Sequence, residues 1–388
     1  MKFIFAPDSF KGSLSSAQCI QILTRTALEY FPECEMVGIP MADGGEGTID
    51  AILSARSGAR YRKQVLGPLG QPVLASYGLL SDGMAIIEMS AASGLTLVPE
   101  GRANPMQSSS YGTGELIRDA LDRGADSLSI CVGGSATNDG GMGAMAALGA
   151  RFYSRDGSEL LPNGYNLENV YRIDLEYFDS RIRRANIRVL CDVMNPLCGK
   201  NGATYIFGPQ KGGTGEQLDE LERGMRNYAQ VLEQTTGISV IEMPGAGAAG
   251  GLSASLCALC GGVLVSGIET VLSLVNFDDA LAGTDLVVTG EGCLDHQSEN
   301  GKVVYGIGRR CQKRHVRAMA VVGSLKVECE LVRRYGIEKV YPLMCGDVTL
   351  EQAMSQAEML FAARAGTLFQ QLLTEQTGLY SFQARALG

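Results

Sequence analysis

KFIFAPDSFKGSLSSAQCIQILTRTALEYFPECEMVGIPMADGGEG, residues 2–47, contains two short apolar runs, each ending in a polar loop, with one amphipathic stretch between them. Residues 2–6 read as a buried strand that runs into the loop 7–13. Ser15 and Gln18 have the spacing of a capping box, and Ile20, Leu23, Ala27 and Phe31 give the next segment the single apolar side of a packed helix. Residues 35–39 read as a second strand, which delivers the loop 40–47 and a further helix from Thr48. Strand, loop and helix, repeated in that order, begin a parallel α/β sheet, whose ligands collect at the carboxyl ends of the strands.

Outward from this stretch the rhythm changes after about residue 65. Residues 73–80 and 84–89 flank Ser81-Asp82-Gly83 and predict an antiparallel hairpin. Parallel-type runs return at 285–289, 316–322 and 339–342. The pattern predicts one α/β domain made of residues 1–69 and 281–388, into which residues 70–280 insert as a second, mixed α/β domain. Residues 238–243 read as a strand, and 350–374 as one terminal helix.

Composition narrows the function classes. The 388 residues are 45% apolar and 19% charged, the balance of a folded globular protein. The formal charge of −9, without a long Lys/Arg block, argues against nucleic acid as the main partner. The N-terminus is too briefly apolar for a signal peptide, and the uncharged run 252–268 carries serines and glycines suited to a buried core rather than a membrane span. Eleven cysteines without regular spacing fit reduced thiols of a cytoplasmic protein. Cys257 and Cys260 form a CxxC with no second pair and no histidine nearby, so core packing is expected there. No obligatory protein partner is evident.

Glycine is abundant, 50 residues, and clusters in loops. The densest loop is GGSATNDGGMG, residues 133–143, between a strand at 127–132 and a small-residue helix. Such a loop can turn backbone N–H groups toward an anion and place it near a helix N-terminus, with Ser135, Thr137 and Asn138 as further donors. Asp139 would serve a cation or a hydroxyl. No GxxxxGK[ST] loop and no HRD sequence is present, so this is no standard phosphate loop or protein kinase. Residues 245–250, GAGAAG, match GxGxxG but lack an acidic residue at the end of a following strand, which favours close packing or phosphate contact over a dinucleotide.

Three acidic loops suit phosphoryl transfer: Asp8 in APDSFKG, Asp43 and Glu46 in MADGGEG, and Asp192 in CDVMNPLCG. That chemistry needs positioning, counter-charge for phosphate oxygens, Mg²⁺, and an acid to take the hydroxyl proton. In TGEGCLDHQSENGK, residues 289–302, Glu291 and Asp295 could hold the metal directly or through water, and Lys302 could meet a phosphate or a carboxylate. His296 reads as a surface or supporting residue. Lys11, Arg102, Lys211 and Lys302 all lie in or beside glycine-bearing loops, and some of them should converge on the negative charge of the substrates.

Taken in order, APDSFKGSLSS, PMADGGEGT, GPLGQPV, IEMSAASGL, NPMQSSSYGTGELI, GGSATNDGGMG, CDVMNPLCGKNGA, FGPQKG, PGAGAAGGL, TGEGCLDHQS and VVGS resemble the bacterial glycerate kinases of the glyoxylate and glucarate pathways. The resemblance runs from residue 6 to about 324. It implies ATP-dependent phosphorylation of D-glycerate, at the 2-hydroxyl in this group. It also implies a flavodoxin-like domain, a second mixed domain, and an active site in a cleft between them; closure of that cleft is expected because excluding water suppresses wasteful ATP hydrolysis. Carried onto this chain, the motifs assign Asp8, Ser9 and Lys11, then Asp43 and Glu46, then Ser135, Thr137, Asn138 and Asp192, and finally Glu291, Asp295 and Lys302. Asp192 is the expected base, Lys11 a further catalytic group, and Asp295 the alternative base or a metal ligand beside Glu291. The family commonly reads TGEGRID where this chain has Cys293, which removes a guanidinium. The competing expectations are a kinase for another small hydroxy acid and a weakly catalytic metabolite sensor.

Overall fold

A computed structural model of the chain describes residues 1–295 and 302–386. Its strands, in chain order, are β1 (Lys2–Pro7), β2 (Glu35–Gly38), β3 (Gly58–Leu66), β4 (Pro72–Leu80), β5 (Met84–Glu88), β6 (Ser127–Cys131), β7 (Arg151–Tyr153), β8 (Arg172–Asp174), β9 (Asn186–Leu190), β10 (Val263–Val265), β11 (Leu286–Leu294), β12 (Arg317–Leu325) and β13 (Lys339–Pro342). They belong to two compact units. One comprises Met1–Asp43, Asp50–Ala55 and Val271–Gly388, and the other Gly44–Ile49 and Arg56–Thr270. Residues 44–49 and 56–69, expected in the first domain, lie in the second unit, and 271–280, expected in the second, lie in the first.

The first unit is a five-stranded sheet in the order β2-β1-β11-β12-β13, with every neighbouring pair parallel. This is the flavodoxin-like order, whose switch point lies between β1 and β11. Helices Ser16–Tyr30 and Ala357–Ala386 pack on one face, over Phe3, Phe5, Leu286, Val288, Met319 and Val321. Phe369 stacks on Phe3 and meets Phe5 edge-on, so aromatic residues form the centre of this layer. The alternate residues Ile4, Val287 and Ala320 are equally buried, and helix Val303–Arg314 packs against β11 and β12. The Ser15/Gln18 capping box forms as its spacing predicts. Residues 350–374 contain two helices, Leu350–Ser355 and the start of Ala357–Ala386, where one was expected.

The second unit is a six-stranded sheet in the order β3-β4-β5-β6-β9-β10. β5, β6, β9 and β10 run parallel, and β3 and β4 add an antiparallel edge. β3 had no counterpart in the sequence reading because seven of its nine residues are exposed and three of them carry charge, so it shows no apolar alternation. Residues 238–243 form no strand. They are a loop whose Ile241 carbonyl accepts the Leu197 and Cys198 N–H groups. Helix Leu252–Cys260 is buried along its whole length, which accounts for the uncharged run and for the free thiols Cys257 and Cys260. Among the described residues, no helix is long and apolar enough to cross a membrane.

One carboxylate ties the edge of this sheet to its cover. Asp119, 7% exposed on helix Tyr111–Asp122, accepts hydrogen bonds from Lys63 of β3 (2.9 Å), Tyr77 of β4 (2.7 Å) and Arg123 (2.9 Å). Burial alone would raise its pKa, but the hydrogen bonds from Arg123, Tyr77 and Lys63 outweigh it and hold the group down at about 2. A depressed carboxylate contributes stability above its unfolded pKa, and that stability is lost as pH falls from about 4 toward 2. Lys63 and Arg123 are partly solvated, so the contribution is on the order of 1–2 kcal/mol. Denaturant melts of Asp119→Asn should show that much less stability at pH 6 and a flatter decline across this acid window than the parent.

Candidate active site

The switch point of the parallel-sheet unit carries the charged residues. β1 ends at Pro7, paired with Gly290 of β11, and the Asp8 N–H donates to the Gly290 carbonyl at 2.8 Å. Asp8, just past the end of β1, is thereby brought beside Glu291, which lies within β11. Both line a cavity of about 390 Å³ with Ser9, Lys11, Asp43 and Lys302. Six of the residues expected at the site are thus gathered at one place in one unit.

Burial, reinforced by neighbouring carboxylates, raises two acids of this cluster. Burial pushes Asp8 up to about 7, with the nearby Asp43 carboxylate adding to the shift, while the Ser9 N–H and Lys11 oppose it. Glu291, 4% exposed, is pushed up to about 8 by burial, with Lys302 opposing and Asp8 and Asp43 reinforcing. Among the described residues, its Oε1 is buried without a hydrogen-bond partner. Lys302 lies 3.5 Å from both Glu291 Oε2 and Asp295 Oδ1 and donates to the Cys293 carbonyl at 3.0 Å. Burial would lower its pKa, but the two carboxylates outweigh burial and hold it above the usual range. An ammonium therefore stands between the two residues expected to bind metal.

The arrangement has the character of a cation site: crowded carboxylates, one of them with a buried oxygen that no described residue partners. Among the described residues, no three His, Cys, Asp or Glu side chains converge closely enough to enclose a metal. That suits an ion held through one or two carboxylates and otherwise by water and phosphate, the habit of Mg²⁺.

The mixed-sheet unit holds the other expected residues. Its four parallel strands present their carboxyl ends together, and residues 44–49 lie over them. A Cβ on Gly44 would come within 3.1 Å of Leu190 and Gly267, and one on Gly133 within 3.1 Å of the Gly45 Cα. Asp192 leaves β9 at this end, and its Oδ1 accepts from Ser266 Oγ (2.9 Å) and from the N–H of Gly267 (3.0 Å), the first residue of helix Gly267–Leu274. Ser266 was not anticipated, since only the pairing of β9 with β10 brings it beside Asp192. Glu46 is exposed.

The glycine-rich loop differs from the anion cradle expected of it. Asp139 is fully buried and accepts from Ser110 N and Oγ (2.7 and 2.8 Å), Gly141 N (3.0 Å) and Gly143 N (3.1 Å). The loop's own carboxylate thus takes the N–H groups, at the start of helix Met142–Ala147, that an anion would have used. Gly140 N donates to Gly250 O, and the fully buried Lys211 donates to Thr137 O at 2.6 Å. Burial lowers the Lys211 ammonium to about 7 against the pull of Asp139. Thr137 and Asn138 are 0% exposed, Asn138 Nδ2 donating to Thr204 Oγ1. Only Gly133–Ser135 reach the surface. Lys211 lies in the interior rather than in a ligand pocket, and Arg102 is exposed. The GAGAAG segment packs against this loop: a Cβ on Gly250 would fall on the Thr137 carbonyl. His296 lies outside the described residues.

Comparison with known proteins agrees with this chemistry. The profile of the glycerate kinase family matches residues 3–373. The chain is 44% identical to the glycerate 2-kinase of Escherichia coli K12 over 358 residues, which cover 92% of this chain and 94% of that one. It is 43% identical to the glycerate kinase of Bacillus subtilis 168, with the same coverage. A crystal structure from Salmonella typhimurium LT2, provisionally described as glycerate kinase 2, superposes with a TM-score of 0.84 at 40% identity, covering 97% of this chain and 99% of that one.

Proposed function

The chain belongs to the glycerate kinase family, and on that premise we propose that it transfers the terminal phosphoryl group of ATP to the 2-hydroxyl of D-glycerate, giving 2-phosphoglycerate and ADP. The observation that carries the reading is the gathering of Asp8, Lys11, Asp43, Glu291 and Lys302 around one cavity at the switch point. Phosphoryl transfer asks a protein mainly for positioning and electrostatic support, and this set supplies both signs of charge.

Mg²⁺ would neutralise phosphate oxygens here, held by Glu291 and Asp8 directly or through water. Asp295 joins that set only if Lys302 turns away from it, and a phosphate is the group toward which an ammonium would turn. Lys11 lies on the same wall and offers a second ammonium. For the acceptor we assign Asp192 as the group that orients the hydroxyl and takes its proton, with Asp295 as the alternative. Within the glycine loop we assign ligand contact to Ser135, which is half-buried rather than buried.

Cys293 bears on the sensor reading. It lines the cavity where the family's arginine is usual, and Lys302 places its ammonium beside the Cys293 carbonyl. Lys302 does not replace that arginine, being a residue of the motif in its own right, but it keeps one ammonium at this wall, which supports a working kinase over a sensor.

The test is turnover with ATP and Mg²⁺ on D- and L-glycerate, glycerol, tartronate and erythronate, with the phosphorylated position read by phosphorus NMR. D-glycerate is expected to lead with a 2-phosphate product, and chelation of Mg²⁺ should stop turnover. Phosphorylation of glycerol but not glycerate would overturn the acceptor assignment. Binding of the acids without transfer to any would favour the sensor.

A further inference from the structure

The cavity of the parallel-sheet unit is larger and more apolar than glycerate and a phosphate chain require. Besides its charged residues, it is lined by Phe10, Leu343, Met344, Leu350, Ala353 and Met354. Each carbon of glycerate bears oxygen, so the acid has no face to cover such a wall. A volume of about 390 Å³ is that of a pocket for a ligand with an apolar body and a few fixed polar groups.

Two observations show how the wall is built. Leu350 and Met354 stand four residues apart on helix Leu350–Ser355, hence on one face of it, and both line the cavity while remaining 62% and 44% exposed. Met354 also reaches the first loop, where a Cβ on Gly12 would come within 3.1 Å of its terminal methyl. The apolar wall therefore adjoins Lys11 directly. Gly292 and Gly323 contribute lining without side chains, so part of the cavity surface is bare backbone on which a flat ring can lie.

A ligand that is apolar and planar at one end and polyanionic at the other fits this sequence of surfaces. We propose that the adenosine of the phosphoryl donor docks against Leu343, Met344, Leu350 and Met354, with its phosphate chain running to Lys11 and Lys302. The inference rests on ATP being the donor and assigns the donor, rather than glycerate, to this cavity.

The experiment uses the full-length enzyme and compares Leu350→Asp, Met354→Asp and Met354→Leu. Met359→Asp, which adds the same charge at an exposed methionine outside the cavity, is the control. Steady-state KM values for ATP and glycerate are measured beside calorimetric Kd values for ADP and for inorganic tripolyphosphate with Mg²⁺. Each cavity aspartate should raise the ATP KM and ADP Kd roughly tenfold or more, as expected for a charge placed against the base. Tripolyphosphate Kd and glycerate KM should stay within about twofold, as should every constant of Met359→Asp, and Met354→Leu should keep its ATP KM well below that of Met354→Asp. ATP constants unchanged in both cavity variants would overturn the proposal, as would a rise in glycerate KM instead. A change of oligomeric mass in Leu350→Asp with unaltered ADP binding would mark the wall as a contact between copies, and also overturn it. Parent enzyme that binds ADP but phosphorylates no acid would sink the acceptor assignment and leave the base site standing.

Discussion

Asp192→Asn is expected to fold as the parent does and to turn over glycerate roughly 100- to 10,000-fold more slowly, the range for loss of a general base. Asparagine retains a carbonyl oxygen at the position of Oδ1, so the bonds from Ser266 and Gly267 survive and the start of helix Gly267–Leu274 stays braced. What is lost is the charge that accepts the proton. The effect should therefore fall on kcat, with the KM values for ATP and glycerate close to those of the parent. Asp192→Ala removes the brace as well and should also lower the melting temperature, so the two variants separate the chemical role from the structural one. Near-normal kcat in Asp192→Asn would transfer the base assignment to Asp295.

Gly250→Ala should be among the most damaging single substitutions in the mixed-sheet unit. Gly250 has φ +62°, a left-handed conformation that costs an L-residue about 1–2 kcal/mol. In addition, its Cβ would fall on the Thr137 carbonyl and within 2.6 Å of the Asn138 Cα, both backbone atoms of the buried loop. Neither can yield without moving the segment that holds Asp139 and Lys211. A loss above about 4 kcal/mol is expected, in the range reserved for core overpacking and backbone strain together. Gly237→Ala is the comparison, because Gly237 has φ +75° with nothing near the new methyl and should lose only about 1 kcal/mol. Equal losses in denaturant melts would show that close approach to the loop carries no weight.

The contrast between these two sites shows what the sequence could reveal. Strand exits were legible where the apolar runs at residues 2–6 and 187–191 stop abruptly and Asp8 and Asp192 lie just beyond, whereas β11 runs on past residue 289 to Leu294 and holds Glu291 within the strand. The capping box of Ser15 was legible for the same local reason. The role of Asp139 was not, because its partner Ser110 lies 29 residues away and arrives through helix packing. Lys211 looked like a free cation beside a glycine, yet it is buried against a carbonyl 74 residues distant. The cavity wall of Leu350 and Met354 was hidden differently: in a terminal amphipathic segment, apolar residues at helical spacing read as core. β3 was missed because an exposed, charged edge strand lacks the alternation by which strands are recognised.

The order of strands in the parallel sheet also governs the order in which the nascent chain can fold. β1 and β11 neighbour each other across about 283 residues, as the hydrogen bond from Thr289 to the Ala6 carbonyl shows, whereas every strand of the six-stranded sheet lies between residues 58 and 265. Once β10 has left the ribosome, the six-stranded sheet has all its strands. β1 still has β2 alone, and its other edge, KFIFAP, awaits a partner not yet translated. Until β11 emerges, that edge is an apolar strand open to other chains, so premature termination anywhere between β10 and β11 would release a protein with one finished sheet and one adhesive strand.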